Sequence, residues 1–512
     1  MSVEHRLDRG NLGGVFSQWV GTGRTAFFDV THGDIATPVA VGYDELDERC
    51  GRLAAGLLAR GLQRGDRVGI VADNSVDYAI AYFGIARAGL VTVPLNIRQP
   101  ADTLAWVAED SGMALALFDA DNVDRVPDMP RVEFGSADWG ALIDHDPLPV
   151  QEMAADDVAV QMYTSGSTGR PKGVLLTHGG QLFSIDQYLG GVMPMDPDER
   201  LLVSAPMYHK NAQMQLKMAV SLGGSTVLLR RFDAEDYLRA IDLHNVTAMT
   251  GVPTMFALMF ARPDLLAVLN RDSVRRLSIG SAPMTQALFD QARQLFPGCV
   301  ITNGYGTTEI VAVFGGHPDG LPRPDISVGY PLAEVETKLV DADGNSVEGD
   351  GAQGELWARS PGVMSGYHNL PDVTAARLTD GWYHTGDVMT MDSDGWHYFV
   401  GRVDDMFSCA GENVYPGDVE QMLERCPVVH QAAVVPVADN LKGQLPVAFV
   451  VLAAGEVADE EAIKTWALEN GPAYAHPRAV WFVAELPLAG TAKIDKAGLV
   501  EDAADRWKPR GA

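Results

Sequence analysis

Alternation is the feature that most restricts how this chain can fold. Between residues 45 and 95 the amphipathic run ELDERCGRLAAGLLARGL gives way to RVGIVADNS, then to DYAIAYFGIARAGL and VTVPL, a helix, strand, helix, strand order. Short β-branched runs set between helical stretches return at LLVSAP, STVLL, VTAMTGV, RRLSIG and CVITNGYG. Parallel strands need crossovers long enough to hold a helix, so this order predicts an α/β fold with doubly wound, mainly parallel sheets over most of the first 320 residues. After about residue 325 the texture changes. ETKLVDADGNSV, QGELWARSP and DGWHYFVGRVDD place Asp-Gly turns between alternating strands, which predicts β-hairpins or a small β-barrel. From Asp404 a second α/β pattern begins, with PGDVEQMLERC and DEEAIKTWALEN as helices and QAAVVPVA and LPVAFVVLA as strands. A chain of 512 residues exceeds one hydrophobic core. We expect a large domain over 1–403 and a small α/β domain over 404–512, with the charged segment RVDDM at 402–406 as the boundary.

Charge narrows the partners. Against 39 basic residues stand 68 acidic ones, a formal net charge of −29 that repels nucleic acid and anionic lipid over most of the surface. An anionic ligand must then be met by local positive groups, which draws attention to Arg170, Lys172, Arg402 and Lys493. The four cysteines lack the short spacings of zinc or redox motifs, and a reducing cytoplasm suits them. Neither the N-terminal MSVEHRLDRGNLGG nor the stretch from Tyr78 to Leu95, interrupted by Arg87, is expected to insert stably in a membrane.

The segment YTSGSTGRPKGV at 163–174 follows DDVAVQMY, an apolar run suited to a buried strand. Gly166, Gly169 and Gly173 permit the backbone angles that turn amide N–H groups toward an anion; Thr164, Ser165, Ser167 and Thr168 add hydroxyls, and Lys172 adds charge. Such a loop suits polyphosphate, although an ordinary solvated turn has the same composition. It is not a Walker loop, because Lys172 is preceded by Pro171 and followed by Gly173. Further on, NGYGTTE at 303–309 offers Asn303 to an aromatic amine, Tyr305 as a stacking face, Thr308 as a hydroxyl and Glu309 as a hard oxygen ligand for a divalent cation. A Glu at a helix start is also an ordinary capping residue. Asp387 in WYHTGD can accept from two ribose hydroxyls, and Arg402 can brace the same nucleotide.

Taken in order, YTSGSTGRPKG (163–173), PMYH (206–209), GSAPM (280–284), NGYGTTE (303–309), GWYHTGD (381–387), GRVDDMFSCAGENVYPGDVE (401–420) and GTAKIDK (490–496) resemble the acyl-adenylate-forming superfamily, in its acyl-CoA synthetase and aryl-CoA ligase branch. The resemblance implies a two-step, ATP-dependent carboxylate–CoA ligase with Mg²⁺. A carboxylate attacks the α-phosphate of ATP, and the thiol of coenzyme A then displaces AMP from the acyl-AMP. It implies Lys493 as the cation on the adenylation transition state, and Glu309 as the metal ligand. By the same resemblance Thr308 would face the α-phosphate, and His209 would be a gate beside the carboxylate. The loop carrying Thr164, Ser165, Gly166, Ser167, Thr168, Gly169 and Lys172 would hold the β- and γ-phosphates. Gly280, Ser281 and Ala282 would line the adenine site with the segment Asn303, Gly304, Tyr305 and Gly306, while Asp387 and Arg402 hold the ribose. Asp404 matches the family's hinge to a swinging C-terminal domain, and Gly411 would border the pantetheine tunnel.

Two departures from the family pattern stand out: Ala492 replaces a glycine before Lys493, and Cys409 with Ala410 precedes Gly411. The segments expected to line the acyl pocket, 209–214, 252–256, 280–283, 304 and 311–314, read as mostly small or apolar. That predicts an apolar monocarboxylate, aryl or cinnamyl or a short-to-medium fatty acid, with Lys210 able to meet a second carboxylate if it points inward. A separate carrier protein is the alternative acceptor, and a nucleotide-binding regulatory module is the alternative from another class. We expect a monomer or homodimer.

Overall fold

In a computed structural model of the chain, which describes residues 10–164, 170–192, 195–282, 284–409, 412–439, 442–488 and 494–507, the alternation becomes two seven-stranded sheets. One runs in the order Val300–Gly304, Arg276–Gly280, Ala248–Gly251, Arg200–Val203, Ser225–Leu228, Thr25–Asp29, Val39–Gly42 and is parallel except at its last pair. All five β-branched runs picked out after residue 200 are strands of this sheet. The other runs Gly366–Tyr367, Lys172–Thr177, Val158–Thr164, Val91–Pro94, Arg67–Val71, Met113–Phe118, Arg131–Glu133, parallel from Val158–Thr164 onward. Its first three strands are antiparallel, so the glycine-rich segment after Thr164 connects a hairpin.

Contact density divides the chain into two units, Met1–Glu336 with Ala358–Tyr383 and Thr337–Trp357 with His384–Ala512. In the first unit, helix Val76–Arg87 is buried on every side, Arg87 included. The Arg87 guanidinium pairs with Asp47 at 2.6 Å and donates to the Leu148 carbonyl at 2.9 Å, which is how a charge sits inside an apolar stretch. Among the described residues no helix is long and apolar enough to cross a membrane.

The strands expected to form hairpins or a small barrel, which fall mostly in the second unit, line up as Ser346–Val347, Glu336–Val340, Ala352–Arg359, Trp382–Met391, with His397–Arg402 antiparallel to the last. A further sheet is built on the long antiparallel pair Val429–Asp439 and Gly443–Leu452, whose inward residues Val434, Val435, Val447 and Phe449 are fully or almost fully buried with Leu423. Helix Pro416–Glu424 lies directly on strand His397–Arg402: a Cβ added at Gly417 would sit 2.2 Å from the Val400 carbonyl oxygen. Glu420 on that helix accepts from the Val434 amide at 2.8 Å and pairs with Lys496 at 2.9 Å. Asp404 lies in this unit, in the short 3-10 turn Val403–Asp405.

Thr177 caps helix His178–Gln187 by accepting from the Gly180 amide at 3.1 Å. His178 at its first turn is fully buried, and its Nδ1 accepts from the Leu12 amide at 2.9 Å, which fixes the ring neutral. Burial pushes its pKa from 6.5 down to about 4, with Asp157 opposing the shift. The unfolded chain therefore takes up a proton before the folded protein does. The contribution, about 3 kcal/mol by linkage, is complete above pH 6.5 and is lost as pH falls through 4. Urea unfolding of the wild type should lose stability over that window, and His178→Gln should flatten the loss.

Candidate active site

The site begins where two parallel strands run out together. Gly280 and Gly304 are register partners at the ends of Arg276–Gly280 and Val300–Gly304, and a Cβ on Gly280 would lie 2.3 Å from the Gly304 oxygen. No side chain fits there. Ser281 follows in the left-handed region at φ 65°, a rare conformation for a residue with a Cβ, and is exposed, with Ala282 half-buried beside it. On the neighbouring strand Asn303 is almost buried. Its Nδ2 donates to the Ile326 carbonyl at 2.7 Å and its own carbonyl accepts from Arg323 at 2.9 Å, which leaves Oδ1 and the second Nδ2 hydrogen for a ligand. Burial pushes the Arg323 guanidinium down to about 10. The Tyr305 ring meets Phe314 edge-on at 5.6 Å.

Glu309 is not at a helix start. The chain after Gly304 makes a turn in which Thr307 Oγ1 accepts from the amides of Glu309 and Ile310, both at 3.2 Å, and the next regular element is the short strand Phe314–Gly315. The capping explanation for Glu309 therefore falls. Its carboxylate, 9% exposed, accepts from the Tyr367 hydroxyl at 2.9 Å, and its carbonyl accepts from Met364. The Tyr367 hydroxyl is held in its protonated form by burial and by that carboxylate. Lys172 Nζ stands 5.7 Å from the Tyr367 ring centre, so the strand after the glycine-rich segment and the turn bearing Glu309 meet on one tyrosine. Thr308 is half-buried in the same turn. Thr164 and Lys172 are register partners at the mouth of the hairpin; Ser165, Gly166, Ser167, Thr168 and Gly169 lie outside the described residues.

His209 is the residue before helix Lys210–Leu222, with its ring 4.7 Å from that of Tyr208. Its segment is held from behind by Asn74, a residue that sequence reasoning passed over. Asn74 donates to the carbonyls of Ala205 (2.9 Å) and Leu229 (3.1 Å) and accepts from the Met207 amide at 2.8 Å. The helix itself, whose first residues are among those expected to line the acyl pocket, buries polar side chains as well as apolar ones. Asn211 Oδ1 accepts from Gln215 Nε2 and from Thr250 Oγ1 (3.2 Å), while Asn211 Nδ2 reaches Ser281 Oγ at 3.5 Å. Lys210 also points inward and donates to Gln181 at 2.9 Å.

In the second unit Asp387 and Arg402 are register partners on adjacent strands, and Arg402 donates to Asp387 Oδ1 at 2.8 Å. The Asp387 amide is held by Thr385 Oγ1 at 3.0 Å. Asp404 sits 3.9 Å from the same guanidinium. Lys493 and Gly411 lie outside the described residues. Among the described residues no group of three or more His, Cys, Asp and Glu side chains could hold a metal. A single carboxylate such as Glu309 fits Mg²⁺, an ion that keeps waters and takes phosphate oxygens for its remaining ligands.

Comparison with known proteins agrees along the chain. The AMP-binding enzyme family matches residues 20–368, and the C-terminal domain of AMP-binding enzymes matches residues 418–493. A feruloyl-CoA synthase from Amycolatopsis sp is 36% identical over 468 residues, 89% of this chain and 93% of its own. The fatty acid–[acyl-carrier-protein] ligase ScoC of Streptomyces coeruleorubidus is 32% identical over 88% of this chain and 89% of its own. ATP-bound MatB from Rhodopseudomonas palustris has the same fold, with a TM-score of 0.88 at 26% identity, over 98% of this chain and 100% of that one.

Asn74→Ala would strand a buried amide and two carbonyls. It should lower unfolding free energy by about 3 kcal/mol in urea titration and weaken whatever reaction depends on His209.

Proposed function

Since this chain belongs to the AMP-binding enzyme family, in its acyl- and aryl-CoA ligase branch of AMP-forming acid–thiol ligases, we propose that it converts an aryl carboxylic acid to its CoA thioester with ATP. The observation that carries the reading is in the first unit: a side-chain-free strand end at Gly280 and Gly304 with Asn303 on the same strand as Gly304, followed in the chain by the Glu309 carboxylate, which Tyr367 holds and whose tyrosine ring Lys172 approaches. The likeness to a feruloyl-CoA synthase supports an aryl acid.

In the first step an oxygen of the acid attacks the α-phosphorus of ATP, and the bond to the pyrophosphate oxygen breaks. Two anions must approach each other, so fixed positive charge matters most at this step. We assign that charge to Lys493, with Lys172 and the 165–169 segment on the leaving pyrophosphate and Thr308 at the α-phosphate. Glu309 would hold Mg²⁺, which neutralises phosphate charge. Asn303 and Gly280 to Ala282 accommodate the adenine, Asp387 with Arg402 the ribose, and His209 borders the carboxylate. In the second step the CoA thiol attacks the acyl carbon and AMP leaves.

Lys493 and the remaining adenylation residues fall on different sides of Asp404 in the chain. We therefore place a hinge there, between a domain of 1–403 and one of 404–512, with Gly411 at the thiol's entry once the small domain has turned. The four unpaired cysteines support a cytoplasmic enzyme, which we take to act as a monomer or homodimer. Loading of a carrier protein in place of coenzyme A is the second reading, favoured by the likeness to ScoC.

Acid-dependent exchange of labelled pyrophosphate into ATP tests the first step, and mass spectrometry of the CoA product tests the second. Lys493→Ala should lower exchange by about 100-fold or more while thioester formation from supplied acyl-AMP stays near wild type. Equal loss of both half-reactions would contradict the hinge.

A further inference from the structure

Helix Lys210–Leu222 carries a stripe of buried hydrogen-bond donors that the adenylation chemistry leaves unused. Lys210, Gln213 and Lys217 recur at i, i+3 and i+7, the spacing that puts side chains on one helix face. Lys217 and Gln213 are 0% exposed and Lys210 is 9% exposed. Both ammonium groups converge on a single acceptor: Gln181 Oε1 takes Lys210 Nζ at 2.9 Å and Lys217 Nζ at 2.5 Å. Among the described residues neither lysine has an ion-pair partner. Gln213 Oε1 is used by the Tyr82 hydroxyl at 3.4 Å, and Gln213 Nε2 is buried with no partner. An ammonium has three N–H groups. The two amines therefore share one carbonyl oxygen and the Gln213 amide N–H has no acceptor, where buried donors ordinarily find acceptors and buried charge finds a counter-charge. Burial pushes both lysines down, Lys217 well below its usual range and Lys210 to about 7, with Glu309 holding Lys210 up.

We propose that this stripe is the specificity-determining part of the acyl site, and that Lys210, Lys217 and Gln213 receive a second acidic oxygen of the substrate, a carboxylate or a phenolic oxygen distinct from the one that is adenylated. The inference rests on the reading that His209 borders the acid, since Lys210 is the next residue. It replaces the purely apolar acyl body expected from sequence with one carrying an acceptor. The lysine stems are flexible enough to admit such a group, and the guest supplies the acceptor that the stripe lacks. Glu309 is not that acceptor, because it is directed to Tyr367.

The test compares kcat/KM for pyrophosphate release with matched acids, such as cinnamate against 4-hydroxycinnamate and 4-carboxycinnamate, in wild type, Lys217→Met and Gln213→Leu. The expected wild-type preference for an acid with the second oxygen is about tenfold or more, the size of one buried hydrogen bond to a charged group. Lys217→Met should bring that ratio to near one, and Gln213→Leu should reduce it part-way. A thermal midpoint at or above wild type would show that Lys217→Met is folded, as expected when an unpaired buried amine is replaced by an apolar side chain of similar length. A wild-type ratio near one, or a ratio retained in a folded Lys217→Met protein, overturns the proposal. So does a ratio near one together with a chloride-dependent rise in thermal midpoint that Lys217→Met abolishes, since the stripe would then hold a free anion. If no acid of any kind supports pyrophosphate exchange, the ligase reading fails and this inference with it. If acids are activated without regard to the second oxygen, only this inference fails.

Discussion

The candidate nucleotide site of the first unit depends on two backbones meeting where there is no room for a side chain. Gly280 and Gly304 are the last residues of adjacent parallel strands, and the 2.3 Å that would separate a Gly280 Cβ from the Gly304 oxygen makes their pairing intolerant of any other residue at Gly280. Because the strands are parallel, both end on the same edge of the sheet, and the segments that leave them diverge. One turns through Ser281 in a left-handed conformation; the other carries Tyr305 to the Thr307 turn and Glu309, with Asn303 on the strand just before it. A flat ligand against such an edge meets main chain and small residues on one side and directed polar groups on the other.

Charge follows from the same arrangement. A protein with a net charge of −29 must keep local positive groups where it handles anions. In the first unit Lys172 stands near Tyr367, whose hydroxyl orients Glu309. The second unit pairs Asp387 with Arg402 across neighbouring strands, so that each fixes the other's position. The carboxylates proposed to touch metal and ribose are therefore each held by a directed partner.

Much of the fold was legible because it rests on periodicity. Runs such as LLVSAP and RRLSIG are short, apolar and flanked by helix, and nothing but a buried parallel strand satisfies them. The hairpin of Val158–Thr164 and Lys172–Thr177 was less legible, since the glycine-rich segment looked like a strand end rather than a connection between partners. Glu309 was misplaced at a helix start because strand followed by helix is the rule elsewhere in this sheet, and Thr307 replaces the helix with a hydroxyl-closed turn. Asn74 gave no signal, because one asparagine in ADNS reads as an ordinary turn residue and its three partners lie more than 130 positions away. The polar interior of helix Lys210–Leu222 was hidden for a related reason. Lysine and glutamine on a helix read as its solvent face, and only packing reveals that they point inward.

The central claim is that the Gly280–Gly304 strand end forms the nucleotide's floor. Calorimetric titration of AMP into wild type, Gly280→Ala and Gly140→Ala tests it most directly, Gly140 being a position where an added Cβ meets nothing within 4 Å. The account predicts that Gly280→Ala loses about tenfold or more in AMP affinity, the weight of one misplaced polar contact, while Gly140→Ala binds as wild type. A folded Gly280→Ala protein that binds AMP with unchanged affinity would contradict it.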